Sequence, residues 1–194
     1  MLGNLKDDEF ETRLVGDSMI KFQLREFCGR SATGRRKRYC YKGARVDDIT
    51  AVCDAVTKKS DANTVIMIHV GTNDVESTRS EELLEKYRRM IKKYKEKVCE
   101  KNIVISGILP RTVAEDSFFD KAYSTNNRLK TLCAQENVHF VNFWDNFYFD
   151  RHLFWKDGLH LNGLGSARFG RLLCNELSAL TAKNGSTAPQ PSPT

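Results

Sequence analysis

Residues 64–70, TVIMIHV, form an apolar, β-branched run with no alternation of polar and apolar positions. A strand of that composition has to be covered on both faces. This is the strongest constraint on the fold, and the rest of the chain agrees with it. Short apolar runs at 12–17 (TRLVGD), 37–42 (KRYCYK), 102–109 (NIVISGIL, stopped by Pro110) and 138–143 (VHFVNF) read as four further strands. Helices are expected between them, at 19–28, 47–58 and about 118–136, with a last one at 163–180. The clearest helix carries Leu83, Leu84, Tyr87, Ile91, Tyr94 and Val98 at helical spacing, with Lys and Arg on the opposite side. Strands alternating with helices imply a parallel sheet between two helical layers, an α/β/α sandwich. In such sheets ligands sit beyond the carboxyl ends of the strands, so the loops after residues 17, 42, 70, 109 and 143 are the ones to search.

The 194 residues suit one domain, expected over 12–180, with an N-terminal extension at 1–11 and a polar, Pro/Ser-rich, disordered tail at 181–194. The N-terminus, MLGNLKDDEFE, has neither the basic nor the apolar region of a signal peptide, and no run is apolar and long enough to span a membrane. The expected location is cytoplasmic. Cys28, Cys40, Cys53, Cys99, Cys133 and Cys174 are scattered, without the pairing of a metal site, and are read as reduced. No metal or cofactor is called for, and no heptad seam predicts a stable oligomer. The net charge of +6 permits an anionic partner without demanding one. Its most localised source is the run Arg35, Arg36, Lys37, Arg38, which could touch phosphates of RNA or of lipid headgroups. No RNA-recognition signature accompanies it.

Four loops hold reactive residues: Gly16-Asp17-Ser18, Gly43 in YKGAR, Gly71-Thr72-Asn73-Asp74, and Asp157-Gly158-Leu159-His160. A serine hydroxyl is a weak nucleophile until a base removes its proton. A turn through D-x-x-H can bring Asp157 back onto the imidazole of His160 and leave its other nitrogen facing Ser18. An oxyanion needs donors already aimed at it. The Ser18 N–H, the Gly43 N–H and the Asn73 amide are candidates, with Gly34 as the alternative to Gly43. Singly, each piece has an ordinary structural explanation: Ser18 as a helix cap, Asn73 as a turn residue, His160 as a structural histidine. Their weight lies in the conjunction.

That conjunction resembles the SGNH (GDSL-type) hydrolase family, through GDS at 16–18, Gly43, GTND at 71–74 and DGLHLNGLG at 157–165. The resemblance implies a flavodoxin-like, five-stranded parallel sheet. It also implies a serine esterase with Ser18 as nucleophile, His160 as base, Asp157 as its partner, and Ser18, Gly43 and Asn73 as the oxyanion hole. HVGTND and DGLHLNGLG are further similar to the esterase domain in the first open-reading-frame protein of LINE-type retrotransposons of fish and other vertebrates. That similarity implies a small acyl ester or lipid substrate and transient membrane contact. The other reading is a module that binds lipid or RNA for a retroelement particle.

Other residues are given plainer roles. His152, two residues after Asp150, is a poorer base than His160, and His69 and His139 are expected to be structural. Asp17 and Asp74 are expected to tie their own loops together, and Lys156 and Arg111 to be solvated at the cleft edge. Eight aromatic residues fall in 140–155: Phe140, Phe143, Trp144, Phe147, Tyr148, Phe149, Phe154 and Trp155. Packing is the simpler account of them, and the alternative is an acyl pocket or membrane rim around 147–155.

Overall fold

The computed structural model describes residues 10–113, 116–148 and 150–184. Five strands, β1 (Glu11–Gly16), β2 (Arg36–Cys40), β3 (Thr64–His69), β4 (Ile103–Ser106) and β5 (His139–Val141), form one sheet. It runs in the order β2-β1-β3-β4-β5, and every pairing is parallel. The helices are α1 (Gln23–Glu26), α2 (Val46–Ala51), α3 (Cys53–Val56), α4 (Ser80–Lys95), α5 (Asp116–Gln135), α6 (Trp144–Phe147) and α7 (Gly163–Asn184). This is the expected α/β/α sandwich.

The alternation hidden in TVIMIHV is one of two apolar faces. Ile66 and Ile68 pack with Ile103 and Ile105 of β4 and with Tyr87, Met90, Ile91 and Tyr94 of α4. Val65 and Met67 face the other way, onto Phe169, Leu173 and Leu177 of α7. Successive strand residues point to opposite faces, so a strand buried on both sides has no polar positions to give away.

The helical expectations need three corrections. Residues 18–30 are not one helix but a 3₁₀ turn at Ser18–Ile20, the short α1 and a second 3₁₀ turn at Cys28–Arg30. Tertiary contact breaks the run: buried Gln23 donates from Nε2 to the Ser166 carbonyl at 3.0 Å. Gly170 also lets α7 approach so closely that a Cβ there would meet the Glu26 carbonyl oxygen at 2.6 Å. The segment 47–58 likewise divides into α2 and α3 at Val52. Finally, α7 continues past residue 180 to Asn184, where Thr181 is buried and its hydroxyl donates to the Leu177 carbonyl. The rest of the predicted tail and residues 1–9 of the extension lie outside the described residues.

No described helix is long and apolar enough to cross a membrane. All six cysteines are free: three are buried, Cys40 and Cys174 half-buried, and Cys99 exposed.

Candidate active site

The carboxyl ends of the three adjacent strands β2, β1 and β3 carry three of the four motif loops. Gly16 closes β1 against β3 so tightly that any Cβ would collide with the His69 carbonyl oxygen. Asp17 follows and caps the 3₁₀ turn, its Oδ1 accepting from the Met19 N–H at 2.9 Å. This turn presents Ser18 at the rim. Ser18 Oγ lies 3.1 Å from His160 Nε2, across 142 residues of sequence. His160 Nδ1 lies 2.7 Å from Asp157 Oδ2.

The D-x-x-H turn is held by the same carboxylate that orients the ring. Asp157 Oδ1 accepts from the N–H groups of both Leu159 and His160 at 3.0 Å, while Oδ2 is left for the imidazole. Gly158 takes φ of +63° in this turn, where a Cβ would also strike Val113. The Trp155 N–H donates to the His160 carbonyl at 2.8 Å and closes the hairpin. Burial pushes the Asp157 carboxyl up, but hydrogen bonds from the His160 ring and from the His160 and Leu159 N–H groups outweigh it and hold the pKa below the usual carboxylate range. Asp157 is therefore ionised at neutral pH and ready to stabilise an imidazolium.

Gly43 follows β2 with φ of +71°, and Tyr41 anchors this loop by donating to the Gly16 carbonyl at 2.8 Å. Among the described residues, the N–H groups of Ser18 and Gly43 have no acceptor. Asn73 follows β3. One of its Nδ2 hydrogens goes to the Ala44 carbonyl at 3.0 Å, which leaves the second available. The three predicted donors thus stand at the ends of neighbouring strands. Gly34 precedes β2 and lies at the opposite edge of this parallel sheet.

Several lesser expectations change. Asp74 does not tie its own loop with its carboxylate: Oδ2 accepts from the Val46 N–H at 3.1 Å, linking the GTND loop to the start of α2 beside Gly43. Arg111 is not solvated. It donates to the Thr72 carbonyl at 3.1 Å and to Glu76 at 3.0 Å, with its guanidinium 4.2 Å from the centre of the Phe118 ring. His152 is exposed, and Asp150 pairs with Arg168 at 3.0 Å instead. His69 is fully buried, with Nδ1 3.0 Å from Ser106 Oγ, as suits a core histidine.

The basic run does not make one patch, because the pleat of β2 divides it. Arg36 donates to the Phe27 carbonyl at 3.2 Å and lies over the Phe27 ring. Lys37 pairs with Glu11. Arg38 reaches the Lys21 carbonyl.

A cavity of about 530 Å³ opens beside Ser18 and His160. Its apolar wall is Met19, Phe22, Trp155 and Leu161, and Lys21, Arg38 and Lys42 line it as well. Sequence reasoning had Trp155 in the candidate acyl-pocket stretch and Arg38 in the basic run, and missed Met19, Phe22, Leu161, Lys21 and Lys42. Among the described residues of the aromatic segment, Trp155 alone lines the cavity. Phe147 is fully buried, edge-on to Phe154 and Phe169, so it belongs to the core; Phe149 lies outside the described residues.

Residues 14–168 match the GDSL-like lipase/acylhydrolase family model, more than half of the chain. The chain belongs to that family. Ester hydrolysis is the chemistry of this group of acylhydrolases, and the fold is shared by solved members. The GDSL-like lipase of Bacteroides thetaiotaomicron superposes on this acylhydrolase with a TM-score of 0.74 at 17% identity, covering 92% of each chain. A lipolytic G-D-S-L family member from Veillonella parvula gives 0.71 at 18% identity, over 86% of this chain and 97% of its own. The esterase domain of the ORF1 protein of the zebrafish ZfL2-1 retrotransposon is 25% identical over 92% of this chain and all of its own, but its TM-score of 0.42 carries no argument. A search of curated proteins finds no match.

Proposed function

We propose that this acylhydrolase is a serine carboxylic-ester hydrolase working through an acyl-Ser18 intermediate. The observation that supports the reading is the connected relay of Ser18 Oγ, His160 and Asp157 at the rim of an open cavity. In this reading His160 Nε2 takes the Ser18 proton as Oγ attacks the ester carbonyl. Asp157 holds the remaining proton on Nδ1 and stabilises the positive ring. The negative carbonyl oxygen is met by the Ser18 and Gly43 N–H groups and the free Asn73 hydrogen. Collapse of the tetrahedral intermediate expels the alcohol, which receives the proton from His160. A water deprotonated by the same ring then attacks the acyl group and returns Ser18 to its hydroxyl form. The substrate is a small acyl ester, the cavity's apolar wall serving the acyl chain.

The test is direct. A fluorophosphonate should label Ser18, and Ser18→Ala should lower turnover of p-nitrophenyl acetate by several orders of magnitude, as for other serine relays. Hydrolysis by Ser18→Ala at the unmutated rate sinks the reading.

The same proposal has the domain serving a LINE-type retroelement, on the strength of HVGTND and DGLHLNGLG in the sequence. Its check is genomic: a reverse transcriptase reading frame should accompany the coding sequence, and its absence would remove this part alone.

A further inference from the structure

Three cations line the cavity beside Ser18: Lys21 after the first 3₁₀ turn, Arg38 in β2 and Lys42 after β2. Among the described residues, none of the three pairs with a carboxylate. Other surface cations also lack such partners; what distinguishes these three is that they line one cavity together beside the nucleophile candidate. Among the described residues, the sole carboxylate lining the cavity, Asp157, is already committed to His160. Arg38 is positioned, not loose: Nη1 donates to the Lys21 carbonyl, and its Nε–H is buried with no acceptor. Lys21 lies over the Phe22 ring, its Nζ 5.3 Å from the centroid, which keeps an ammonium at the cavity wall.

Resting on the esterase reading above, we infer that Lys21, Arg38 and Lys42 form an anion subsite that selects acyl esters carrying a negatively charged group. Like charges gathered without counter-charges raise one another's cost, and an anion in their midst relieves it through charge-assisted hydrogen bonds. The apolar wall of Phe22, Trp155 and Leu161 lies in the same cavity, so one substrate can present a hydrocarbon part to it and an anion to the cations. The anion can reside on either half of the ester, as a phosphate on the alcohol or a carboxylate at the far end of the acyl chain.

Two matched pairs separate these sources: monobutyrylglycerol against its 3-phosphate, and methyl hexanoate against monomethyl adipate. In at least one pair the anionic member should be hydrolysed with kcat/KM roughly tenfold above the neutral member. The triple variant Lys21→Gln/Arg38→Gln/Lys42→Gln should bring that ratio to near one, and the ratio in the unmutated protein should shrink as salt rises. Lys92→Gln, on the exposed face of α4, serves as the control that keeps the ratio. Equal rates in both pairs, or a preference that survives the triple variant or high salt, overturn the subsite. Calorimetric titration of Ser18→Ala with the same esters decides the matter separately from catalysis. If neither pair is hydrolysed, the esterase reading fails. The subsite then stands on tighter binding of an anionic member that the triple variant abolishes, and it falls if the two members of each pair bind alike.

Discussion

Asn73 braces the Ala44 carbonyl with one amide hydrogen, and in the proposed reaction its other hydrogen meets the oxyanion. Asn73→Ala should therefore lower kcat by roughly 10²–10³-fold with KM little changed, the signature of a donor used in the transition state. A mainly structural role would instead show as a lower melting temperature with KM and kcat moving together, so kinetics and thermal melts on one preparation distinguish the two. What was legible in the sequence is its position, in a GTND loop just after a strand. Lys21 and Lys42 were not legible. A lone lysine in a chain with 31 Lys and Arg carries no signal until the fold shows which ones line the cavity.

At the scale of elements, the least visible feature is Arg13. It sits inside β1, 3% exposed, and its Nε pairs with Glu11 at the start of the strand, at 2.6 Å. Its Nη1 donates to the Val56 carbonyl at 2.6 Å and the Lys58 carbonyl at 2.9 Å, and Nη2 reaches the Lys59 carbonyl at 3.4 Å. These carbonyls end α3 and begin its exit, where Lys59 turns with φ of +55°. The guanidinium thus caps a helix end that has no glycine, satisfying the orphan carbonyls and matching the negative pole of the helix. Arg13→Leu leaves the buried Val56 carbonyl unpaired and should cost roughly 1–3 kcal/mol in denaturant unfolding. Arg13→Lys should recover only part, because one ammonium cannot span the same fork. A loss within a few tenths of a kcal/mol for Arg13→Leu would remove the capping role. In the same way the broken helix at 18–30 escaped periodicity, since Gln23 and Gly170 act on partners about 140 residues away.

The whole molecule carries two buried titrations of opposite sign. Burial raises the Asp17 carboxyl from its ordinary 3.8 to about 7. Asp74 is raised in the same way to about 6. Burial lowers His69 from 6.5 to about 4. Between pH 4 and 6.5 the folded protein holds protons on the two acids that the unfolded chain has released, so their contribution falls as pH rises. Over the same range the unfolded chain protonates His69 while the folded protein does not, so this contribution rises with pH. The opposed slopes offset one another in part. Asp17→Asn removes one falling component: its stability should fall less from pH 4 to 6.5 than that of the unmutated protein. At pH 8, where an ionised Asp17 is most costly, the variant should exceed the unmutated protein by on the order of 3 kcal/mol. Parallel stability–pH curves for the two would show that Asp17 does not titrate within the fold's stability range.

The sequence by itself determined the layers and the order of the chemistry. Apolar runs of strand length demand cover on both faces, and reactive residues placed just after such runs must gather at one edge of a parallel sheet. Periodicity and spacing are local properties, and these conclusions need nothing else. Only the tertiary structure decided which cations go unpaired around Ser18, which carbonyls Arg13 caps, that Phe147 belongs to the core while Trp155 lines the cavity, and that the basic run is divided by the pleat of β2. Each of those depends on partners distant in sequence. Burial and electrostatic pairing arise from approach in space, which no local pattern encodes.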